Sequence, residues 1–157
     1  LAHDPDVICS IARAMAMNIA RFILIGEENK IRAMADRNKA DISAAEFVPA
    51  TTEEEACELA ADMAGDNRAQ IMIKGTVQSA TFIKAILHKK NDLIQAGHLI
   101  SGAALFEIPS YPKPLLITDP SVIIAPNLEQ KIEIIRNAIA IRVYTVELVA
   151  IGIHCEE

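Results

Sequence analysis

Residues 71–79 combine the residue types that bind phosphate groups in α/β proteins. The pattern predicts a buried strand, a turn at Lys74 and Gly75, and a helix that begins at Thr76. A helix N-terminus presents free backbone N–H groups and the positive end of the helix dipole, and both favour phosphate. Lys74 would add a positive charge, while Thr76 and Ser79 would add hydroxyl donors. The segment is therefore a candidate site for phosphate or pyrophosphate, although it lacks the glycine spacing of a P-loop.

A simpler interpretation of the same segment needs no ligand. Turns between a strand and a helix occur throughout α/β proteins. In that interpretation Thr76 is an ordinary N-cap and Lys74 is solvated. The local sequence leaves both interpretations open.

A second candidate strand, residues 115–118, is followed by a carboxylate. Asp119 would either orient a substrate or a cation at the strand end, or cap the turn before Pro120, and the local sequence favours the cap. Ser101 precedes Gly102 within the apolar run 98–108. A glycine inside a strand often marks a bulge or a close backbone approach.

The histidines and cysteines predict neither a metal site nor a nucleophile. No histidine has a partner four residues away on a helix, which excludes the simplest zinc-binding pattern. The three cysteines are widely spaced, and no C-x-x-C motif is present. This pattern indicates reduced thiols in the cytosol rather than a disulfide framework.

Composition narrows the possible classes of protein. The chain has 157 residues, of which 52% are hydrophobic and 4% aromatic, with a net charge of -6. The negative charge gives no attraction to nucleic acids or anionic membranes, and the few aromatics give no platform for stacking bases. Every apolar run is shorter than the roughly 18 residues of a membrane span. The start of the chain also lacks the basic and apolar regions of a secretory signal.

Two kinds of segment alternate along the chain and predict an α/β protein with a mainly parallel sheet. Short apolar runs typical of buried strands lie at residues 21–25, 70–73, 98–108, 115–118 and 144–149. Segments with helical periodicity begin at Asp4-Pro5, at Glu27, at Thr52-x-x-Glu55 and at Asn127-x-x-Gln130, and a further apolar stripe with helical spacing is formed by Phe82, Ile83, Ile86 and Leu87. The segment that begins at Asn127 predicts an apolar face formed by Leu128, Ile132, Ile135 and Ile139. A mean hydropathy of +0.25 suits a sheet that is covered on both faces, or a piece of protein with an unusually large interface.

Five blocks of sequence resemble the phosphate acetyl/butyryltransferase family, and the phosphate butyryltransferase branch in particular. They are residues 20–26, 73–80, 105–109, 116–119 and 124–131. Their order and spacing are more specific than any one block. The resemblance implies that residues 1–157 are a single partial domain, the first half of a phosphate acyltransferase domain.

The resemblance also implies a fold and an activity. The fold would be a three-layer α/β/α structure of the isocitrate/isopropylmalate dehydrogenase type. The reaction would exchange a short acyl group, such as acetyl or butyryl, between coenzyme A and inorganic phosphate, with no metal or redox cofactor. The enzyme would be cytoplasmic and a homodimer or larger. Its catalytic residues stay unassigned, and the substrate-binding residues implied here are Lys74, Gly75, Thr76, Ser79, Ser101 and Asp119.

Two alternatives remain at this level. The first is a truncated or degenerate relative without catalysis, acting as a binding or assembly module. The second is another enzyme of the same broad fold, such as a hydroxy-acid dehydrogenase or the acyl-carrier-linked phosphate acyltransferase of lipid synthesis. Residues 74–76 and 126–129 argue against another enzyme of the same fold, whereas a similar fold alone would not decide between these activities.

Overall fold

The structure is a computed structural model that describes residues 4–88, 90, 93–94 and 97–142. Within these residues the chain forms five α-helices and four short strands. The helices are α1 (Pro5–Ala16), α2 (Glu28–Asn38), α3 (Glu53–Gly65), α4 (Ser79–Ile86) and α5 (Leu128–Arg142). The strands are β1 (Ile23–Ile25), β2 (Glu46–Val48), β3 (Ala104–Phe106) and β4 (Leu115–Ile117). The chain divides into two compact units, a first unit Leu1–Leu93 and a second unit Ile94–Glu157.

A parallel pair of strands organises the start of the first unit. β1 and β2 pair in parallel with Leu24 opposite Phe47, and α2 connects them. Such a connection is expected, because parallel neighbours need a crossover rather than a hairpin. The core here is formed by buried side chains of α1, β1 and α2, among them Ile8, Leu24 and Ile31. The predicted strand at residues 21–25 is confirmed.

Local capping signals fix where several helices begin. The side chain of Asp4 caps α1 by accepting two backbone N–H groups of the first turn. Thr52 Oγ1 accepts the N–H of Glu55 at 3.1 Å and caps α3. The carboxylate of Glu55 reaches back to the N–H of Thr51 at 2.7 Å rather than to that of Thr52. The predicted starts of α1 and α3 are therefore confirmed, with a capping box shifted by one residue.

The predicted strand at residues 70–73 is wrong. Residues 71–75 form no regular element, and Ile71 and Ile73 are 76% and 67% exposed. A strand is stable only when a neighbour accepts and donates its ladder hydrogen bonds, and no described residue pairs with this segment. The following helix begins at Ser79, not at Thr76 as predicted.

The second unit contains an antiparallel pair. β3 and β4 pair with Leu105 opposite Leu116, and Leu116 packs against Ala138 of α5. The connection between the strands, residues 107–114, is too short for the crossover of about a dozen residues that a parallel pair needs. The predicted mainly parallel sheet is therefore wrong for the described residues, which form one parallel and one antiparallel pair.

The buried side of helix α5 differs from the apolar face that its sequence predicts. Its predicted start is confirmed, because Asn127 and Gln130 exchange reciprocal side chain-to-backbone hydrogen bonds. Ile134 and Ala138 are buried, whereas Leu128 of the predicted apolar face is 74% exposed. The predicted strand at residues 144–149 lies outside the described residues. Among the residues that are described, no helix is long and apolar enough to cross a membrane.

Candidate functional site

The turn between residues 74 and 79 is anchored by one buried side chain. Val77 is 4% exposed and packs in a core with Cys57 and Ala61 of α3 and Ala85 of α4. Helices α3 and α4 pack directly on one another. The turn therefore has a fixed place on the surface, at the start of α4.

Lys74 folds back onto its own turn. Its Nζ donates to the carbonyl oxygen of Val77 at 2.9 Å and, more weakly, to that of Gly75 at 3.4 Å. The residue as a whole is nevertheless exposed. Lys74 is thus an exposed residue whose ammonium group is hydrogen-bonded to its own turn.

Glu53, the first residue of α3, also binds this turn. Its Oε2 accepts the backbone N–H of Gln78 at 3.1 Å. The sequence does not predict this contact, because an acidic residue in the first turn of a helix is already explained by the helix dipole. No local signal links two residues that lie so far apart in the sequence.

The hydroxyl residues of the turn lie beside the start of α4. Thr76 and Ser79 are both exposed, and Ser79 is the first residue of the helix. Gln78 is the N-cap residue of α4, and its side chain makes no capping hydrogen bond. The structure thus brings Lys74, Gly75, Thr76 and Ser79 together in one turn of the first unit.

Asp119, in the second unit, organises the turn that follows β4. Its carboxylate accepts the backbone N–H groups of Gly102, Ser121, Val122 and Ile123 over distances of 2.9–3.4 Å. Partial burial by itself would raise the pKa of Asp119, but these four donors together hold the pKa below its usual range. The geometry matches the capping role that the local sequence favours.

Gly102 approaches the end of β4 closely, as the glycine within the apolar run predicted. Its N–H donates to Asp119 Oδ1 at 2.9 Å, and Thr118 Oγ1 donates to its carbonyl oxygen at 2.7 Å. A Cβ added at this position would lie 2.9 Å from Asp119 Oδ1 and 3.1 Å from Cδ of Pro120. The predicted close approach at the Gly102 backbone is therefore confirmed, and the atoms that a Cβ would meet there belong to side chains.

Ser101 is tied to helix α5. Asn137 Nδ2 donates to Ser101 Oγ at 3.0 Å and to the carbonyl oxygen of Leu99 at 3.1 Å. One turn earlier on α5, Glu133 pairs with the ring of His98. Because Gly102 follows Ser101 directly, the structure brings Ser101 and Asp119 into one region of the second unit.

Cysteines and histidines provide no separate reactive centre in the part of the chain that the structure describes. Within it, no group of three His, Cys, Asp or Glu side chains is arranged to hold a metal ion. Burial raises the pKa of the Cys57 thiol, which makes it a poor nucleophile at neutral pH. Cys9 is exposed and unpaired in any disulfide.

Curated proteins similar to this chain are phosphate acetyltransferases and phosphate butyryltransferases. The chain is 31% identical over 136 residues to a phosphate acetyltransferase of Rickettsia felis, and this match covers 87% of the chain and 39% of that protein. It is 31% identical over 138 residues to a probable phosphate butyryltransferase of Bacillus subtilis, covering 88% of this chain and 45% of that protein. No family model matches the chain.

A solved structure has a similar fold. It is a branched-chain phosphotransacylase from Enterococcus faecalis V583, with a TM-score of 0.70 and 24% sequence identity, covering 87% of this chain and 47% of that one. The chain spans less than half the length of these relatives. The predicted resemblance to the phosphate acetyl/butyryltransferases is confirmed over the matched residues. The mixture of helices and strands, with one parallel pair, is compatible with the predicted α/β class.

Proposed function

We propose that this protein, a relative of the phosphate acetyl/butyryltransferases over most of its length, transfers an acyl group between coenzyme A and inorganic phosphate. The observation that carries the proposal is sequence similarity to both kinds of enzyme over 87–90% of the chain. The acyl group would be short, such as acetyl or butyryl. The reaction converts acyl-CoA and phosphate into acyl phosphate and free coenzyme A, and it runs in both directions.

The chemistry makes two demands on the protein. The thiol of coenzyme A must lose its proton before it attacks an acyl phosphate. Positive and hydrogen-bonding groups must hold the phosphate and the oxyanion that develops on the acyl carbon. In the first unit, the Lys74–Ser79 turn offers groups of the second kind. We assign phosphate contacts to Lys74, Thr76, Ser79 and the backbone at Gly75. The ammonium of Lys74 has three N–H donors, so binding phosphate does not require it to leave the carbonyl oxygen of Val77.

Substrate contacts by residues of the second unit belong to the same proposal. Ser101 is half-buried and hydrogen-bonded to Asn137, and Asp119 accepts four backbone N–H groups. Because the carboxylate of Asp119 already accepts these four N–H groups, its main contribution to a substrate contact is to fix the backbone of residues 120–123. Residues for thiol activation are not assigned.

Several further properties follow from the proposed family relationship. The fold would be the three-layer α/β/α type of the isocitrate/isopropylmalate dehydrogenases, with residues 1–157 forming part of one such domain. Coenzyme A would be a substrate, and no metal or redox cofactor would take part. The protein would be cytoplasmic and would act as a homodimer or larger assembly.

Phosphate-dependent release of free thiol from acetyl-CoA and butyryl-CoA tests the proposal directly. Release that requires phosphate supports acyl transfer, and the faster substrate identifies the preferred acyl chain. The reverse reaction, formation of acyl-CoA from acyl phosphate, is the matching control. Absence of both reactions in folded protein would refute the proposal.

A non-catalytic relative that serves as a binding or assembly module is the second candidate. One observation favours it: the ammonium of Lys74 and the carboxylate of Asp119 are both bonded to the protein's own backbone. A folded protein that releases no thiol from either substrate would support this candidate. Phosphate-dependent release would exclude it.

A further inference from the structure

One peptide group in the candidate phosphate-binding turn is held at both ends by opposite charges. The carbonyl oxygen of Val77 and the N–H of Gln78 belong to the same peptide unit. Lys74 Nζ donates to that oxygen at 2.9 Å, and Glu53 Oε2 accepts from that N–H at 3.1 Å. Since the C=O and N–H of a trans peptide point in opposite directions, the two side chains approach it from opposite sides.

This arrangement fixes the peptide immediately before α4. Val77 is buried in the core between α3 and α4, and Ser79 is the first residue of α4. Orienting the Val77–Gln78 peptide therefore orients the backbone at the start of the helix. Hydrogen bonds that involve a charged group are roughly twice as strong as neutral ones, so this pair of bonds holds the peptide more firmly than ordinary turn hydrogen bonds do.

We infer that Glu53 is a positioning residue for phosphate binding, because it holds the N–H end of the Val77–Gln78 peptide while Lys74 holds the carbonyl end. The inference rests on the proposed function. The ammonium of Lys74 has three N–H donors, so it donates to the Val77 carbonyl in the free protein and also to the phosphate in the complex. Glu53 binds the other end of the peptide and is not needed by the phosphate. Its bond therefore persists in both states and preserves the turn.

Glu53 acts on phosphate binding indirectly, by positioning the turn. Its negative charge has a direct effect of the opposite sign, and the test must distinguish the two effects. A carboxylate near a phosphate site repels the phosphate at long range. If repulsion were the main effect of Glu53, removing the charge would tighten phosphate binding. If positioning is the main effect, removing the carboxylate weakens phosphate binding even though a negative charge has gone.

Substitutions at residue 53 distinguish these effects. We expect Glu53→Ala to accelerate hydrogen exchange of the Gln78 amide by about tenfold, with exchange in α1 unchanged, because the amide loses a charged acceptor. We expect the KM for phosphate to rise by about five- to tenfold, with a smaller change in kcat. Glu53→Gln keeps an acceptor oxygen and is expected to fall between the wild type and Glu53→Ala. The control is Glu54→Ala at the exposed neighbouring position, which should match the wild type.

The outcomes separate the inference from the proposed function. Unchanged exchange at Gln78 in Glu53→Ala, or a KM for phosphate equal to or below that of the wild type, overturns the positioning role. If the wild type shows phosphate-dependent thiol release but Glu53→Ala gives either of these results, only the positioning role is refuted and the proposed function stands. An inactive wild type refutes the proposed function, and the exchange of Gln78 still decides whether Glu53 holds the turn. If Glu53→Ala does not fold, Glu53→Gln supplies both measurements.

Discussion

Gly102 lies so close to Asp119 that the carboxylate both accepts its N–H and occupies the space of a Cβ. The hydrogen bond is 2.9 Å long, and a Cβ built on Gly102 would lie 2.9 Å from the same oxygen. Thr118 completes the contact by donating its hydroxyl to the Gly102 carbonyl. The segment before β3 and the segment after β4 are therefore held together without any side chain at position 102.

Replacing this glycine tests the contact. Gly102→Ala is expected to lower the free energy of unfolding by about 1–3 kcal/mol, because the added methyl group forces the backbone or Asp119 to move. Urea unfolding followed by circular dichroism measures the change. Ala103→Ser, at the exposed next position, is the control and should unfold like the wild type. An unfolding midpoint for Gly102→Ala equal to that of the control would contradict the close approach.

Asp119 makes stability depend on pH. Its folded pKa is below its ordinary value of 3.8, so its contribution is fully present above that value and is lost as the pH falls through the folded pKa. Asp119→Ala leaves partly buried N–H groups without an acceptor and should cost about 1–3 kcal/mol at pH 7. The difference from the wild type should shrink in urea unfolding at pH 3. A difference that is the same at both pH values would refute the ionic role of this carboxylate.

The parts of the fold that could be predicted are those encoded by neighbouring residues. Asp4, Thr52 and Asn127 bind N–H groups within a few positions of themselves, so a short motif is enough to locate each helix start. The strand expected at residues 70–73 depends on a hydrogen-bonding partner elsewhere, which no local pattern specifies. The buried side of α5 could not be predicted either. Isoleucines occur on several of its faces, so tertiary contacts decide which of them is covered.

His98 and Glu133 give a second pH-dependent contact, between the segment before β3 and helix α5. The hydrogen bond from His98 is the main reason that the pKa of Glu133 lies below its ordinary value of 4.5, with Arg136 adding to it against the effect of burial. Glu133 therefore contributes stability above its unfolded pKa and loses it as the pH falls through the folded pKa. His98→Ala should raise the pKa of Glu133 towards its ordinary value.

Carbon-13 NMR titration of the Glu133 carboxyl group measures this change. Arg136→Gln removes a smaller contribution and should shift the titration less than His98→Ala does. His88→Ala, in the first unit, is the control that should leave it unchanged. If the titration of Glu133 is the same with and without His98, the two side chains do not pair in solution.

The part of the candidate site that could be predicted from the sequence is the part formed by neighbouring residues within one turn. The residue types at positions 74–79 indicated a phosphate site, and the glycine at 102 indicated a close backbone approach. The bonds of Lys74 could not be predicted, because they depend on the path of the turn and on where α4 begins. Glu53 was missed because its partner at Gln78 is distant in sequence, and only the packing of α3 on α4 brings them together.

Lys74 is the residue for which a role in phosphate binding and a role confined to its own turn make different predictions. If Lys74 Nζ binds phosphate, Lys74→Met should raise the KM for phosphate about tenfold or more, the usual cost of losing a charged hydrogen bond, and change the KM for acyl-CoA less. Steady-state kinetics at varied phosphate measures this. Lys84→Met, on an exposed position of α4, is the matched control for charge and should behave like the wild type. An active Lys74→Met variant with an unchanged KM for phosphate would mean that Lys74 serves only the Val77 carbonyl. Phosphate would then have to be held by other residues.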